Sequence, residues 1–255
     1  LPPGEKADLL VAEIVGNVAS ADGIYATMHD AQQRLLRRPK DPLSYIPLVV
    51  ETLCAPMSYT EHHPQIGPAN FDWDAVRAHA PPPKFSTETT AVLPLAPPQR
   101  LEHLRFDEPL PPPGTELRSS LAFELCGDLM AASAASCKAT LLEAPPGVEL
   151  GEEAAGAVAA EVGASVSGMG LWPRLIMDEA ETLVVDTRAV DGQPRKSCWE
   201  LVFPLLCAAP QRVAPGEVLE VDAAVQLGTA VDDPVTYAIA ARVTSVAPEP
   251  ELQEQ

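Results

Sequence analysis

The feature that most constrains the fold is an apolar run near the start of the chain that stops at a carboxylate. Residues Ala7 to Ala12 are nearly all apolar, and Glu13 follows them directly. An apolar run without alternation that leads into a helical pattern predicts a strand buried on both faces of a parallel sheet. Glu13 would then lie at the carboxyl edge of that sheet, which is where open α/β folds bind their ligands.

A second carboxylate, Asp22, follows Glu13 just ahead of the next helical segment. A loop with an acid at each end can surround one cation with two negative charges. A guanidinium suits such a loop, because its planar fork of donors matches carboxylates in pairs. Asp22 has a second interpretation, since Ser20 or Asp22 can also cap the first turn of the following helix.

The segment from Gly23 to Arg38 predicts a helix that packs on this sheet. Its apolar residues recur at helical spacing and would face the sheet: Ile24, Met28, Ala31 and Leu35. Basic residues in the last turn suit the negative end of the helix dipole, and Pro39 ends the segment.

From residue 85 onward the sequence is typical of an all-β region, because short apolar segments alternate with Pro and Gly turns. The predicted strands are 89–95, 117–125, 139–142, 183–187, 200–206, 218–226 and 235–246. The stretch 151–170 is rich in Ala and Gly, and we interpret it as an inserted loop or a poor helix. The predicted fold class is therefore α+β, with a short α/β part followed by an antiparallel β-barrel or sandwich.

A second candidate for binding chemistry is the tripeptide Ser197-Cys198-Trp199, which precedes a predicted strand. The indole face of Trp199 can contact a guanidinium through a cation–π interaction of about 0.5–2 kcal/mol. Ser197 and Cys198 are small and would leave room beside a nitrogen of that guanidinium. Taken alone, Trp199 is also explained as a core side chain beside a strand.

The charge of the chain restricts its partners. With 17 basic and 36 acidic residues the formal net charge is −19. This charge argues against nucleic acid and anionic membranes and favours basic partners such as Arg-rich protein segments. Solubility alone is the other explanation of so acidic a chain.

The cysteines and the apolar runs predict a soluble protein of the cytoplasm or nucleus. The 5 cysteines form no C-x-x-C pair, which indicates neither a disulfide framework nor a zinc site and suits a reducing compartment. No apolar run approaches the roughly 20 residues of a membrane span, and no signal peptide opens the chain.

These elements together resemble the protein arginine methyltransferases. The run Ala12-Glu13-Ile14-Val15-Gly16, followed by Asp22, is similar to the family's acidic "double-E" substrate loop, most closely in the symmetric-dimethylating, type II branch. Asp22 stands where that branch has a second Glu, so its carboxylate is set back by a methylene group. Ser197-Cys198-Trp199 is similar to the Trp-containing tripeptide that closes the family's site from the barrel. The proline-containing segments 46–47 and 55–58 resemble the family's passage from cofactor domain to barrel.

The resemblance implies transfer of a methyl group from S-adenosylmethionine to an arginine nitrogen of a protein substrate. It makes Glu13 and Asp22 the catalytic residues that hold the guanidinium. It makes Trp199, Cys198 and Ser197 substrate-binding residues. The implied partners are protein segments rich in Arg or in Arg and Gly, and a second copy of the chain in a homo-oligomer.

The resemblance also divides the chain into parts. Residues 1–45 would be the end of a Rossmann-like, S-adenosylmethionine-dependent methyltransferase domain, and 46–58 a crossover strand. Residues 59–83 would be a dimerisation arm, although a long surface loop with one helical turn explains them equally. Residues 84–247 would be the β-barrel, and 248–255 a disordered acidic tail.

The glycine-rich turn and the ribose-binding acid through which this class of enzyme receives S-adenosylmethionine are not found in the sequence. We therefore expect the chain to be the C-terminal portion of a catalytic core, inactive and a poor binder of the cofactor by itself. One alternative is a non-catalytic β-barrel module for dimerisation or partner binding that has lost the cofactor half. Another is an unrelated acidic β-sandwich with a short α/β cap.

Overall fold

The first part of the chain forms a small α/β cap, defined here as residues 7–46, on curled antiparallel sheets. The computed structural model describes residues 5–79, 81–143, 150–188, 192, 194–230, 233 and 235–244. The predicted tail at 248–255 and the end of the predicted barrel lie outside these residues. Within them, the structure confirms the predicted mixture of a short α/β part and a mainly antiparallel β part.

The opening strand is shorter and more exposed than the apolar run predicts. β1 (Leu10–Val11) pairs in parallel with β2 (Tyr45–Ile46), and these two strands form a sheet of their own. Val11 is 66% exposed and Leu9 is 45% exposed. The prediction of a strand buried on both faces of a larger parallel sheet is therefore wrong, because the described elements leave these side chains largely uncovered.

The predicted helix is present, but its inward face shifts along its length. It consists of α1 (Ile24–Asp30) and a π-helical turn at Ala31–Leu35. The inward side of α1 is buried as predicted, whereas Leu35 is 37% exposed and Leu36 is buried in its place. The Leu36 amide donates to the Ala31 carbonyl, and this wider step moves the inward face on by one residue.

The rest of the described chain contains three further α-helices, a short 3₁₀ helix at Thr60–His62 and a set of mostly antiparallel strands. The α-helices are α2 (Trp73–His79), α3 (Gly127–Leu142) and α4 (Glu152–Gly163). The strands are β3 (Val49–Tyr59), β4 (Lys84–Ser86), β5 (Val92–Pro94), β6 (Gln99–Arg105), β7 (Glu116–Glu124), β8 (Ser165–Val166), β9 (Gly168–Ile176), β10 (Val184–Asp186), β11 (Glu200–Val202), β12 (Gln211–Arg212), β13 (Val218–Gln226) and β14 (Thr236–Thr244).

β3 is the strand around which the main sheet is built. The main sheet has seven strands in the order β4-β11-β9-β3-β5, with β10 beside β9 and β6 also paired with β3. A second, three-stranded sheet has the order β14-β13-β7, and β12 pairs with β8. Apart from β1 with β2, the strand pairs are antiparallel.

The cap and the two sheets share one hydrophobic core. Ile24 and Met28 of the cap are buried in the same cluster as Val50 and Ile176 of the main sheet and Val225 of β13. This packing orients the loop between β1 and α1 against the sheets. No helix in the described part of the chain is long and apolar enough to cross a membrane.

Two predicted elements of the β region differ from the structure. Residues 139–142, predicted as a strand, are the last turn of α3. Residues 151–170, interpreted as a loop or a poor helix, contain the well-formed helix α4 and the start of β9. The two helices pack against each other through small residues, with Ala155, Ala159 and Cys137 buried between them.

Candidate functional site

The acidic loop, defined here as residues 12–22, is fixed to its surroundings at both ends. At its start the Ala12 amide donates to the Ile46 carbonyl over 2.9 Å. Toward its end the Ala19 amide donates to Thr52 Oγ1 over 2.7 Å. The next residue, Ser20, is buried with its hydroxyl oxygen 2.6 Å from Glu102 Oε1. The loop is therefore held by β2, β3 and β6.

Both carboxylates of the loop face solvent. Glu13 and Asp22 are exposed and have no hydrogen-bond or ion-pair partner among the residues that the structure describes. The N-cap residue of α1 is Gly23, and no side chain makes a capping hydrogen bond to that helix. The alternative prediction that Ser20 or Asp22 caps the helix is therefore wrong. The two carboxylates are thus free to bind a cationic ligand.

The backbone of the loop folds back on itself at Gly16. A Cβ atom placed on Gly16 would lie 2.8 Å from Asp22 Oδ2, which is closer than real Cβ atoms approach. Asp22 has a φ of 56°, in the left-handed region that few non-glycine residues adopt. The position of the Asp22 carboxylate therefore depends on the absence of a side chain at Gly16.

The tripeptide around Trp199 docks directly on the acidic loop. Trp199 Nε1 donates to the Val15 carbonyl over 2.9 Å. Asn17 joins the same two segments, because its Oδ1 accepts from the Glu200 amide at 2.8 Å and its Nδ2 donates to Glu200 Oε2 at 3.2 Å. Three hydrogen bonds thus connect segments that are far apart in the sequence.

The other two residues of the tripeptide have different surroundings. Ser197 Oγ lies 3.0 Å from Thr87 Oγ1 and accepts from the Trp199 amide at 3.2 Å, so it shapes the turn. Cys198 is exposed. The Trp199 ring is partly buried against the core shared by cap and sheets. The structure therefore brings the tripeptide and the acidic loop together, with Cys198, Glu13 and Asp22 facing solvent.

Several residues that hold the site were not singled out from the sequence. Asn17, Thr52, Glu102 and Tyr237 contact the loop or the residues that fix it. Asn17 lies inside the acidic loop, so its position was a signal that could have been used. Glu102 and Tyr237 lie on strands distant in sequence, and only the strand pairing brings them to Ser20.

The charges around the site favour a cation. Glu200 accepts a hydrogen bond from Asn17 of the acidic loop and adds a third carboxylate to the site, and its nearest cation in the described chain is Lys84 at 3.8 Å. No group of three or more His, Cys, Asp or Glu suited to a metal ion occurs in the part of the chain that was searched. A planar organic cation is a ligand that two free carboxylates beside an indole can hold.

The fold resembles solved structures of protein arginine methyltransferases. The structure of PRMT6 superposes with a TM-score of 0.57 at 14% sequence identity and covers 92% of this chain and 68% of its own. A structure of PRMT6–SAH has a TM-score of 0.53 at 14% identity, and the match covers 91% of this chain and 67% of that one. Protein arginine methyltransferase 10 of Arabidopsis thaliana has a TM-score of 0.53 at 10% identity, and the match covers 95% of this chain and 72% of that one. The chain therefore has a protein arginine methyltransferase-like fold.

The likeness lies in the fold and not in a recognisable sequence relationship. No family model matches the chain, and neither does any curated protein sequence. What the neighbours bind or catalyse is therefore a basis for proposals about this chain.

Proposed function

We propose that this chain supplies the arginine-binding part of a protein arginine methyltransferase. The observation that carries the proposal is the 2.9 Å hydrogen bond from Trp199 Nε1 to the Val15 carbonyl. This bond places an indole against the loop that carries two unpaired carboxylates. The methyltransferase-like fold supports the same conclusion.

Each site residue has a role that follows from its chemistry. Glu13 and Asp22 accept charge-assisted hydrogen bonds from the guanidinium and hold it so that one nitrogen is oriented for methylation. One of the two carboxylates accepts the proton that this nitrogen loses. Trp199 forms the wall of the arginine channel, and Ser197 and Cys198 set the space beside it.

S-adenosylmethionine would supply the methyl group, but the described residues do not fit it. A Rossmann-like site needs a glycine-rich turn between a strand and a helix of a parallel sheet. In the described part of the chain, parallel pairing is confined to the two residues each of β1 and β2 and to one isolated bridge between Ala7 and Leu36. We therefore assign no residue of this chain to the methyl donor.

Charge and residue type support proposals about the substrate, the branch of the family and the cellular compartment. The net charge of −19 supports protein substrates with segments rich in Arg or in Arg and Gly. The small Cys198 beside Trp199 supports the symmetric-dimethylating branch. Homo-oligomerisation through residues 59–83 is proposed from the resemblance to the family. Five free cysteines suit the cytoplasm or nucleus.

The first prediction tests the catalytic role by methyl transfer. The product of the complete open reading frame should methylate an Arg/Gly-rich peptide with radiolabelled S-adenosylmethionine. Glu13→Gln and Asp22→Asn should each lower the rate at least about tenfold, because each removes one charged hydrogen-bond acceptor worth about 1.5–3 kcal/mol. Glu153→Gln, at an exposed site on α4, removes the same charge and should change the rate little. Unchanged rates in both site variants would refute the assignment.

A non-catalytic interaction module is the second candidate, and the exposed apolar surface of the cap favours it. Leu9, Val11, Leu43 and Ile46 all expose large parts of their side chains. Apolar surface of this kind marks contact with another protein segment. Absence of methyl transfer by the complete gene product, together with capture of a protein partner that Val11→Asp abolishes, would favour this candidate.

A further inference from the structure

Glu102 is a buried carboxyl group whose hydrogen-bond partners among the described residues are all hydroxyl groups. The residue is 3% exposed. Its Oε1 lies 2.6 Å from Ser20 Oγ, and its Oε2 lies 2.5 Å from Thr52 Oγ1 and 2.7 Å from Tyr237 Oη. Ser20 Oγ and Tyr237 Oη also lie 2.9 Å apart. Within the described chain no cation lies within ion-pair distance of Glu102.

The number of hydrogens decides the protonation state of this cluster. Its four oxygen–oxygen contacts each require one hydrogen, and the three hydroxyl groups supply three. The Thr52 oxygen already accepts the Ala19 amide hydrogen, so its own hydrogen is free for Glu102. If Glu102 is protonated, its hydroxyl group donates to Ser20 Oγ and Ser20 donates to Tyr237 Oη. Tyr237 and Thr52 then both donate to Glu102 Oε2, so every contact has a hydrogen. If Glu102 is ionised, one contact at 2.6–2.9 Å has no hydrogen.

We propose that Glu102 is a neutral carboxylic acid in the folded protein and acts as a positioning residue that holds the acidic loop through Ser20. Glu102, Ser20 and Tyr237 form a closed ring of oxygen–oxygen contacts. Ionisation of Glu102 removes one hydrogen from this ring, so two of its oxygens face each other with lone pairs only, and it also places an unpaired charge beneath the loop. Both effects are relieved when Ser20 moves away, and the loop then leaves its docked position. This dependence of loop docking on the protonation of Glu102 is a property of the chain itself and can be tested without an assay of methyl transfer.

The surroundings of Glu102 support this protonation state. Burial raises the pKa of Glu102, and the hydrogen bonds from the three hydroxyl groups lower it by less. Burial also raises the pKa of Tyr237, so its hydroxyl group keeps the hydrogen that it donates to Glu102 Oε2. On the neighbouring strands, Glu51 pairs with Arg100, His103 and Arg174, Glu116 with Arg118, and Glu220 with Arg242. Glu124, at the end of β7, is exposed to solvent. Asp222 bonds to Ser120 at the surface.

Glu51 provides an internal contrast on the adjacent position of β3. Burial alone raises its pKa, but hydrogen bonds from His103 and Arg100 bring it below the ordinary value. Because its pKa is raised on folding, Glu102 stabilises the fold at pH values below the ordinary glutamate pKa of roughly 4.3, and this contribution is lost as the pH rises through its folded-state pKa. Because its pKa is lowered, Glu51 stabilises the fold at pH values above the ordinary pKa, and this contribution is lost as the pH falls through its folded-state pKa.

The decisive experiment measures the carboxyl groups of the wild-type chain directly. Side-chain carboxyl carbon shifts are followed by NMR from pH 4 upward, and Glu102→Gln identifies the resonance. We expect the Glu102 carbon to remain in the neutral-acid position well above the pH at which exposed glutamates ionise, while Glu51 is already ionised. A Glu102 carbon that titrates with or below the exposed glutamates would overturn the proposal.

A second measurement tests the link between Glu102 and the loop. Glu102→Gln keeps an acceptor oxygen and places an NH₂ donor group beside it but cannot ionise, whereas Glu102→Leu removes both groups. The free energy of unfolding of wild type minus that of Glu102→Gln should fall as the pH rises, and the same difference for Glu51→Gln should rise. The Ala19 amide should exchange with solvent as slowly in Glu102→Gln as in wild type at low pH, and at least about tenfold faster in Glu102→Leu. Equal exchange in all three proteins contradicts a positioning role.

Discussion

At the residue scale, Gly16 determines where the Asp22 carboxylate can lie. A methyl group at this position would meet Asp22 Oδ2 and the Ala21 side chain at distances below 3 Å. We predict that Gly16→Ala displaces Asp22 and weakens arginine-peptide binding to a degree similar to Asp22→Asn. The affinity of an Arg/Gly-rich peptide, measured by titration calorimetry, checks this prediction.

Gly151 is the matched control, because nothing lies near a Cβ atom placed there. Gly151→Ala adds the same methyl group and should leave peptide affinity unchanged. Equal affinity of Gly16→Ala and wild type would show that the position of Asp22 does not matter for binding. The double variant Gly16→Ala/Asp22→Asn should bind about as weakly as either single variant, since both act on one carboxylate.

At the scale of elements, the tripeptide around Trp199 and the acidic loop should order each other. Trp199→Phe keeps an aromatic ring but loses the hydrogen bond to the Val15 carbonyl, a loss of about 0.5–1.5 kcal/mol. We predict faster hydrogen exchange at the amides of residues 14–18 in this variant, by up to about tenfold. Trp73→Phe, at the first residue of α2 and packed on Tyr59, is the control and should not alter these amides. Unchanged exchange in Trp199→Phe would mean that the indole does not hold the loop.

The sequence predicts elements best where neighbouring residues decide the structure. The strand β13 (Val218–Gln226) has the predicted bounds because its side chains alternate between core and surface. The helix α3 was missed, although its buried residues Met130, Ser133, Cys137 and Leu141 recur at helical spacing. Ser and Cys at these positions give little apolar contrast, so the periodicity is weak until the packing partner α4 is known.

The strand β9 was missed for a different reason. It contains Gly168, Gly170 and Pro173, and such residues are uncommon within strands. In the folded protein the Met57 side chain of β3 fills the place where a Cβ of residue 170 would lie. Glycine is thus required by a contact with a strand more than a hundred residues away, and no local pattern reveals it.

The same distinction applies to the candidate site. Glu13, Asp22 and Trp199 could be singled out as candidates because carboxylates flanking a loop and an indole beside a strand have a known chemistry. The bond between Trp199 and Val15, and the support of the loop by Glu102, depend on how distant strands pair. The exposure of β1 was mispredicted because an apolar run shows what a segment tends to bury, and not whether a partner is present.

At the scale of the whole molecule, the cap and the β sheets form one body with a shared core. Residues of the cap are buried with residues of β3, β9 and β13. The net charge of −19 adds a negative field around the two free carboxylates. Cationic peptides should therefore be attracted generally, and a test of the site must separate specific guanidinium binding from this general attraction.

The most direct test is calorimetric titration of this chain with an Arg/Gly-rich peptide and with the same peptide carrying Lys for each Arg. We predict that the Arg peptide binds more tightly, because the guanidinium fork fits two carboxylates whereas an ammonium does not. Glu13→Gln and Asp22→Asn should remove this preference, and Glu153→Gln should preserve it. Equal affinity for both peptides, unchanged in the site variants, would contradict the account and leave only attraction by net charge.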